Sequence, residues 1–421
     1  SLNIPDFTRY AKNQRSQVLG QALMAASRTV EPGRAAHSLH SYFLRRGDFD
    51  DVTVFSDDPV TLARHWQGEG AEGAGAMESV GYGGEWLGLQ ATALGLGICW
   101  LGGTFTRGAF AAAAGVAADP RGTEGIEQLL ADARRTWEEL PQRKRWEFDQ
   151  ESLTNPYADT RVLTGDLDSR VERILVGIDV DVGEMLLADR LGERGRPVDL
   201  VLAHHPMSRA LADLEAVMAV QADIWRDFGV PINLGEALIS DRMREIRRWF
   251  HASNTEQALD AARLLGLAVM TCHTPADNCV QSFVQRKCDE LDQNATLGDL
   301  LDTLKSIPEY REAVLRGTGP MLFVGEEERR TGRIMVDMTG GTSGPKESVK
   351  HLAAAGVGTV VAMHMDEEHR KIADEMHVHV VVAGHHASDS LGMNLILDTC
   401  EVAGVEIIPC SGFIRVSRAK T

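Results

Sequence analysis

Cysteine is scarce in this chain: six residues in 421, at Cys99, Cys272, Cys279, Cys288, Cys400 and Cys410, and no two of them form a CxxC pair. That argues against a zinc ribbon and for a reducing compartment, with the thiols serving as small buried hydrophobes. Positive charge is also short. The 43 Lys and Arg against 61 Asp and Glu leave a formal net charge of -18, which would repel a phosphate backbone, so nucleic acid is not an expected partner. No apolar run approaches the roughly 18 residues that a membrane span needs, and no membrane partner is expected. No basic segment followed by an apolar stretch opens the chain at Ser1, and a cytoplasmic location is expected. There is no repeat of fixed period, and no GxSxG signature supplies a serine nucleophile.

What is present fits a large α/β protein. At 421 residues the chain exceeds the size at which single cores stop growing, so more than one domain is expected. Gly and Ala dominate up to about residue 120, and Ala113 to Gly122 reads as a linker. An amphipathic pattern then begins: Ile126, Leu129, Leu130, Ala133, Trp137, Leu140. The boundary is placed there, between a segment 1–120 and a domain 121–421.

Within that domain short β-branched runs alternate with helical stretches, which predicts a largely parallel or mixed sheet covered by helices. The runs ILVGIDV (174–180), VDLVLA (198–203), LAVMTC (267–272), RIMVDM (333–338), TVVAM (359–363), VHVVVA (378–383) and VEIIP (405–409) are continuously apolar, as strands buried on both faces require. Helices are expected over 345–355 and 367–375, with a long helical insertion over about 209–265. The stripe Leu211, Leu214, Val217, Met218, Ala222 and Trp225 in that insertion is what either an oligomer interface or a core-facing helix shows.

Ligands of open parallel sheets bind beyond the carboxyl ends of the strands. Three segments carry imidazole or carboxylate there: His204-His205-Pro206, His273-Thr274-Pro275-Ala276-Asp277, and Gly384-His385-His386-Ala387-Ser388-Asp389. They are expected to meet at one sheet edge. If a helical turn begins at Gly384, His385 and Asp389 share a face and can reach one metal pair. Imidazole nitrogen with carboxylate oxygen suits zinc, iron or manganese. The strand-end candidates for such a metal site are His204, His205, Asp277, His385 and Asp389. His273, His364, His369 and His386 are read as second-layer partners that orient these ligands, or as surface residues.

The segments DLVLAHHP, HTPADN and VVAGHHASDSLGMNLILD, preceded by ILVGIDVDVGEMLLADRL, resemble the Nif-three-like family, dinuclear metal proteins often labelled GTP cyclohydrolase 1 type 2 homologues. The resemblance covers about 126–417. It implies two divalent metal ions on the five residues just named, a homo-oligomer enclosing its sites, and a cyclohydrolase-type label. One departure is plain: the family's last ligand is usually glutamate, and here it is Asp389, with a shorter stem.

Two divalent ions lower the pKa of bound water and clamp the oxygens of a displacement. The expected function is therefore a metal-dependent hydrolase acting through metal-bound hydroxide on a small phosphorylated or nucleotide-like substrate. A non-catalytic metal-binding regulatory or scaffold protein is the alternative. Gly340, Gly341, Thr342, Ser343 and Gly344 follow the strand ending at Met338 and precede Pro345, expected at the first position of a helix, so their backbone N–H groups are a candidate anion cradle. A plain strand-to-helix turn is the other reading of that loop. Asp179, Asp181 and Glu184 are read either as partners of ligands or substrate, or as a polar loop.

The segment 1–120 reads as a mosaic. Residues 17–47 resemble the N-terminal hotdog segment of type II acyl-CoA thioesterases, and residues 81–118 are similar to the C-terminal part of FMN-dependent nitroreductases. The catalytic repeat of the first and the basic phosphate-holding segment of the second are missing, so neither thioesterase residues nor FMN binding are expected.

Overall fold

The computed structural model describes residues 118–166 and 169–418, together with the backbone of two short strands. The chain divides into two compact units, 1–103 and 104–421. In the first, β1 (Tyr42–Leu44) pairs antiparallel with β2 (Val52–Val54), Phe43 opposite Thr53. Apart from that ribbon, the thioesterase-like and nitroreductase-like segments lie outside the described residues.

The second unit begins with α1 (Gly122–Glu139), which follows the amphipathic pattern read from Ile126 onward. Five strands and five helices come next: β3 (Val162–Thr164), β4 (Arg173–Gly177), α2 (Val182–Glu193), β5 (Leu200–Ala203), α3 (Ser208–Ala212), α4 (Val220–Asp227), α5 (Ile232–His251), α6 (Gln257–Leu265) and β6 (Val269–Thr271), with β11 (Glu406–Pro409) returning at the end of the chain. They form one sheet in the order β11-β4-β5-β6-β3, parallel except for β3 at its edge.

The chain then passes through α7 (Thr274–Asp289), α8 (Leu297–Lys305) and α9 (Pro308–Leu315) to a second sheet. Its strands are β7 (Met321–Val324), β8 (Arg333–Asp337), β9 (Val357–Ala362) and β10 (His379–Val382), with α10 (Ser348–Ala354) and α11 (Glu367–Glu375) between them. The order is β7-β10-β9-β8, with β7 antiparallel on the edge. Helix α12 (His385–Val402) leads back to the first sheet. The α/β class and the mixed sheet follow the sequence reading, but the single sheet becomes two. Two antiparallel edge strands, β3 and β7, are not among the runs read as strands: β3 is three residues long, and β7 is the four-residue apolar run MLFV, which the sequence reading passes over.

Helices α7 and α12 pack between the two sheets. Toward the second sheet they offer Val280, Val284, Ala387 and Leu391 to Val336, Val361 and Val381. Toward the first, Ala276, Met393 and Leu397 meet Ile174, Leu202 and Met270. Close approach of this pair requires glycine at 392, where a Cβ would lie 2.2 Å from the Ala276 carbonyl oxygen. The outer face of the first sheet is covered by α2 and α6 through Met185, Ala188, Leu259 and Ala262.

The insertion between β5 and β6 is helical, as read, but α4 and α5 cover the outer face of the second sheet. Met218, Ala222 and Trp225 are buried there, and Leu214 and Val217 are buried beside Gly341. The stripe therefore faces the chain's own core, which removes the interface reading for it. Burial of such a side chain is worth about 1.5–3 kcal/mol, which fixes the insertion on the sheet. Among the described residues no helix is long and apolar enough to cross a membrane.

Candidate metal centre

Each wall of the site is set by the place where a parallel strand stops. Beyond β5, His204 N and His205 N donate to Gly177 O and Ile178 O at 2.9 and 3.0 Å, prolonging the ladder with β4. Strand alternation then turns the two imidazoles apart. His204 follows Leu202 toward the α7–α12 layer and is fully buried, while His205 keeps 27% of its side chain exposed.

Beyond β6, His273 precedes α7, whose first turn carries Pro275 and Asp277. The helix N-terminus favours the carboxylate there. Beyond β10, Gly384 takes φ 104°, and a Cβ at this position would lie 2.4 Å from Thr318 O. Helix α12 starts immediately after it, so His385 and Asp389 lie one turn apart on one face, as the spacing predicts. The three strand ends come from two sheets rather than one edge: β5 and β6 from the first, β10 from the second. They converge because α7 and α12 start side by side.

Asp389 stands at the centre. Its Oδ1 is 3.4 Å from His204 Nε2, which is itself 3.5 Å from Asp277 Oδ1. Its Oδ2 is 3.7 Å from His205 Nε2 and 3.8 Å from His385 Nε2. Two triads result, His204 with Asp277 and Asp389, and His205 with His385 and Asp389, each with ligand atoms within 4.8 Å of one another. His204, His205 and His273 form a third such group.

Six buried side-chain atoms among the described residues have no hydrogen-bond partner, and four of them are here: His204 Nε2, Asp277 Oδ1 and both oxygens of Asp389. Leaving one such group unmet costs about 1–3 kcal/mol, so the cluster is built to receive something it does not itself supply.

A second layer holds the imidazoles. Asp179 Oδ1 accepts from His205 Nδ1 at 2.7 Å, and its Oδ2 lies 3.7 Å from His386 Nε2. His204 Nδ1 donates to Cys272 O at 3.2 Å, which turns its Nε2 toward the carboxylates. His273 Nδ1 meets Asp159 Oδ2 at 2.9 Å, and the Thr274 hydroxyl donates to the same oxygen. Burial alone would lower the His273 pKa, but the carboxylates of Asp277 and Asp159 outweigh it and raise it to about 9. Burial lowers His204 and brings His385 down to about 4. Burial would raise Asp389, yet the imidazoles of His204, His385 and His205 hold it near 2. Burial pushes Asp277 well above the usual carboxylate range, so Asp277 and His273 must each lose a proton to meet a metal ion, whereas His204, His385 and Asp389 already hold the neutral imidazole and ionised carboxylate forms that one requires.

The remaining expected residues are placed as follows. The His364 ring is 4.9 Å from that of His385. His369 bonds to Asp366 and to Gly344 O at 2.8 and 3.2 Å, and so touches the glycine loop rather than a ligand. His386 is largely exposed. Of the glycine loop, Gly341, Thr342, Ser343 and Gly344 line one cavity with His204, Asp277, His385 and Asp389, whereas Gly340 packs against Gln221. The helix after the loop, however, begins at Ser348, so Pro345 does not occupy a first helical position. The loop is pinned instead by Gln221 Nε2, which donates to Gly340 O and Thr342 O, each at 2.7 Å. Asp181 and Glu184 form the capping box of α2, and Glu184 also accepts from the Ser411 hydroxyl.

Asp159 and Asp337 were not singled out by the sequence reading. Asp159 lies in an irregular loop with no pattern to mark it. Asp337 closes an apolar run as a lone carboxylate, and that signal was available.

The structure matches a NIF3 superfamily protein from Sphaerobacter thermophilus with a TM-score of 0.55 and 26% identity, over 68% of this chain and 98% of that one. Weaker likenesses are to reduced HcgD from Methanocaldococcus jannaschii (TM-score 0.38, 16% identity, 62% of this chain and 93% of that one) and to a Bacillus cereus protein related to NIF3 (TM-score 0.34, 13% identity, 70% and 98%). The fold is NIF3-like, and it carries a buried His/Asp cluster that could hold metal, in keeping with the resemblance read from the three strand-end segments.

No family model matches the sequence. Matches to curated proteins are short: 61% identity over 28 residues with an imidazole-4-carboxamide isomerase of Chromobacterium violaceum, and 53% over 32 residues with its counterpart from Aromatoleum aromaticum. They span 7% and 8% of this chain, and only 11% and 13% of those relatives.

Proposed function

We propose that this chain binds two divalent metal ions, zinc, iron or manganese, and uses them to hydrolyse a small phosphorylated or nucleotide-like substrate. The observation that carries the reading is Asp389. Its two buried oxygens have no hydrogen-bond partner and face different histidines, which suits a carboxylate shared between two ions. His204, Asp277 and Asp389 would hold one ion; His205, His385 and Asp389 the other. Bound there, the ions supply Lewis-acid activation of water near neutral pH and positive charge for a developing oxyanion.

The chain's own residues do the rest. Asp179 fixes the ring of His205, Cys272 O fixes that of His204, and Asp159 holds His273 beside Asp277. The site is closed on the His204 side and open on the other, where His205 and His385 keep 27% and 39% of their side chains exposed. A catalytic metal site keeps such an open side, whereas a structural one is closed. A homo-oligomer is part of the same proposal, tested by light scattering of the full chain.

The test is turnover of a phosphoester and nucleotide panel by the full chain loaded with each metal, beside a His204→Ala, His385→Ala double variant. Metal-dependent turnover falling at least about 100-fold in the variant is expected. Equal rates in the two proteins would overturn the hydrolase reading in favour of a metal-binding regulatory role.

A further inference from the structure

Strand β11 runs parallel to β4, so both stop at the carboxyl edge of the first sheet, where the site lies. The chain turns there through Cys410, Ser411, Gly412 and Phe413. Phe413 N donates to Cys410 O at 2.9 Å, and the two central residues, Ser411 and Gly412, take φ 42° and 84°. A turn with both central φ angles positive suits glycine, asparagine or aspartate. Serine at the first of these positions is therefore strained, and its backbone alone would favour glycine.

The hydroxyl and carbonyl of Ser411 have a use. The carbonyl accepts from Ile178 N at 3.1 Å, and the hydroxyl donates to Asp179 O. The same hydroxyl oxygen lies 3.1 Å from Glu184 Oε1, while Glu184 Oε2 accepts from Asp181 N at 2.8 Å in the cap of α2. Residues 177–179 are the stretch on which the site leans: Gly177 O and Ile178 O accept from His204 N and His205 N, and Asp179 Oδ1 accepts from His205 Nδ1. His205 is thus tied to this stretch by backbone and ring, whereas the ring of His204 rests on Cys272 O. Among the described residues the Asp179 carboxylate meets only the imidazoles of His205 and His386. It is largely exposed, so its place is set by its own main chain, which Ser411 ties down.

We infer that Ser411 is a positioning residue: its hydroxyl fixes the backbone of Asp179, so that the carboxylate holds His205 Nδ1 and turns His205 Nε2 toward Asp389. That role explains a serine where the backbone favours glycine. The effect is one-sided, falling on the group His205, His385 and Asp389 and sparing His204 and Asp277. Its consequence for bound ions rests on the metal-site reading above; the orientation of the ring does not.

The test compares the full-length wild type with Ser411→Ala, which removes the hydroxyl and keeps the strain, and Ser411→Gly, which removes both. In metal-free protein labelled with ¹⁵N-histidine, NMR follows the proton on His205 Nδ1, assigned with His205→Gln. In metal-loaded protein, elemental analysis and chelator competition follow the ions. Wild type is expected to show a slowly exchanging Nδ1 proton, and both variants are expected to lose it and to bind one ion at least about tenfold more weakly while keeping the other. A purely structural role predicts instead the wild-type signal in Ser411→Gly, where the strain is relieved. Absence of the signal from wild type, or its persistence in either variant, would overturn the assignment. A signal lost in both variants of a chain that takes up no metal would leave the positioning role standing and the metal reading fallen. A signal kept in the variants of a chain that holds two ions would do the reverse.

Discussion

Asp389 Oδ1 lies 3.4 Å from His204 Nε2 in the interior, and neither atom has a hydrogen-bond partner. An imidazole and a carboxylate held this way, just beyond bonding distance, leave room for an ion between them. Replacement of the shared carboxylate should differ from replacement of a terminal ligand. Asp389→Ala is expected to lose both ions, whereas His385→Ala, which leaves His204, Asp277 and Asp389 intact, keeps one. Elemental analysis after dialysis reads the difference, and equal metal content in the two variants would contradict the shared role.

Asp179 holds His205 at 2.7 Å but is itself largely exposed. Its removal should therefore cost orientation rather than stability. Asp179→Ala is expected to weaken metal binding about 10- to 100-fold, as loss of an orienting carboxylate does, while unfolding free energy changes by less than about 1 kcal/mol. Competition with a chelator of known affinity and urea unfolding measure the two quantities.

Gly392 lies three residues beyond Asp389 on the face of α12 that presses on the first turn of α7, where Asp277 sits. A methyl group at 392 would force the helices apart. Gly392→Ala is expected to destabilise by about 1–3 kcal/mol and to weaken metal binding. Gly183→Ala in α2, where a Cβ meets nothing within 4 Å, is the control and should be neutral or slightly stabilising. Similar losses in both would show that helix spacing is not the cause.

Burial, partly opposed by His369, pushes the Asp337 carboxyl up to about 6 from 3.8. Its pKa is higher folded than unfolded, so the folded state holds an extra proton between the two values. The associated stability is present below about pH 4 and is lost as pH rises through 6. Asp337→Asn should then match wild type at pH 4 and exceed it at pH 8, by up to about 2–3 kcal/mol at 1.4 kcal/mol per pKa unit. Urea unfolding at both pH values checks this.

The strand ends and their ligands were legible because a parallel strand announces itself as an apolar run, and a His or Asp just past it has one place to go. The helix spacing of His385 and Asp389 was legible for the same local reason. The division into two sheets was not: the connections through α7–α9 and through α12 look, in sequence, like ordinary crossovers, and only packing decides which sheet each strand joins. Asp159 was hidden because its loop has no period, and its bond to His273 spans 114 positions. Pro345 misled as a helix start because the loop, pinned at Gly340 and Thr342 by Gln221 from far away in sequence, turns into helix only at Ser348.

Elemental analysis of the full chain combined with anomalous scattering measures the metal centre itself. Two ions within about 4 Å of each other, with Asp389 between them, His204 and Asp277 on one and His205 and His385 on the other, is the predicted result. A single ion, or ions bound away from Asp389, would contradict it.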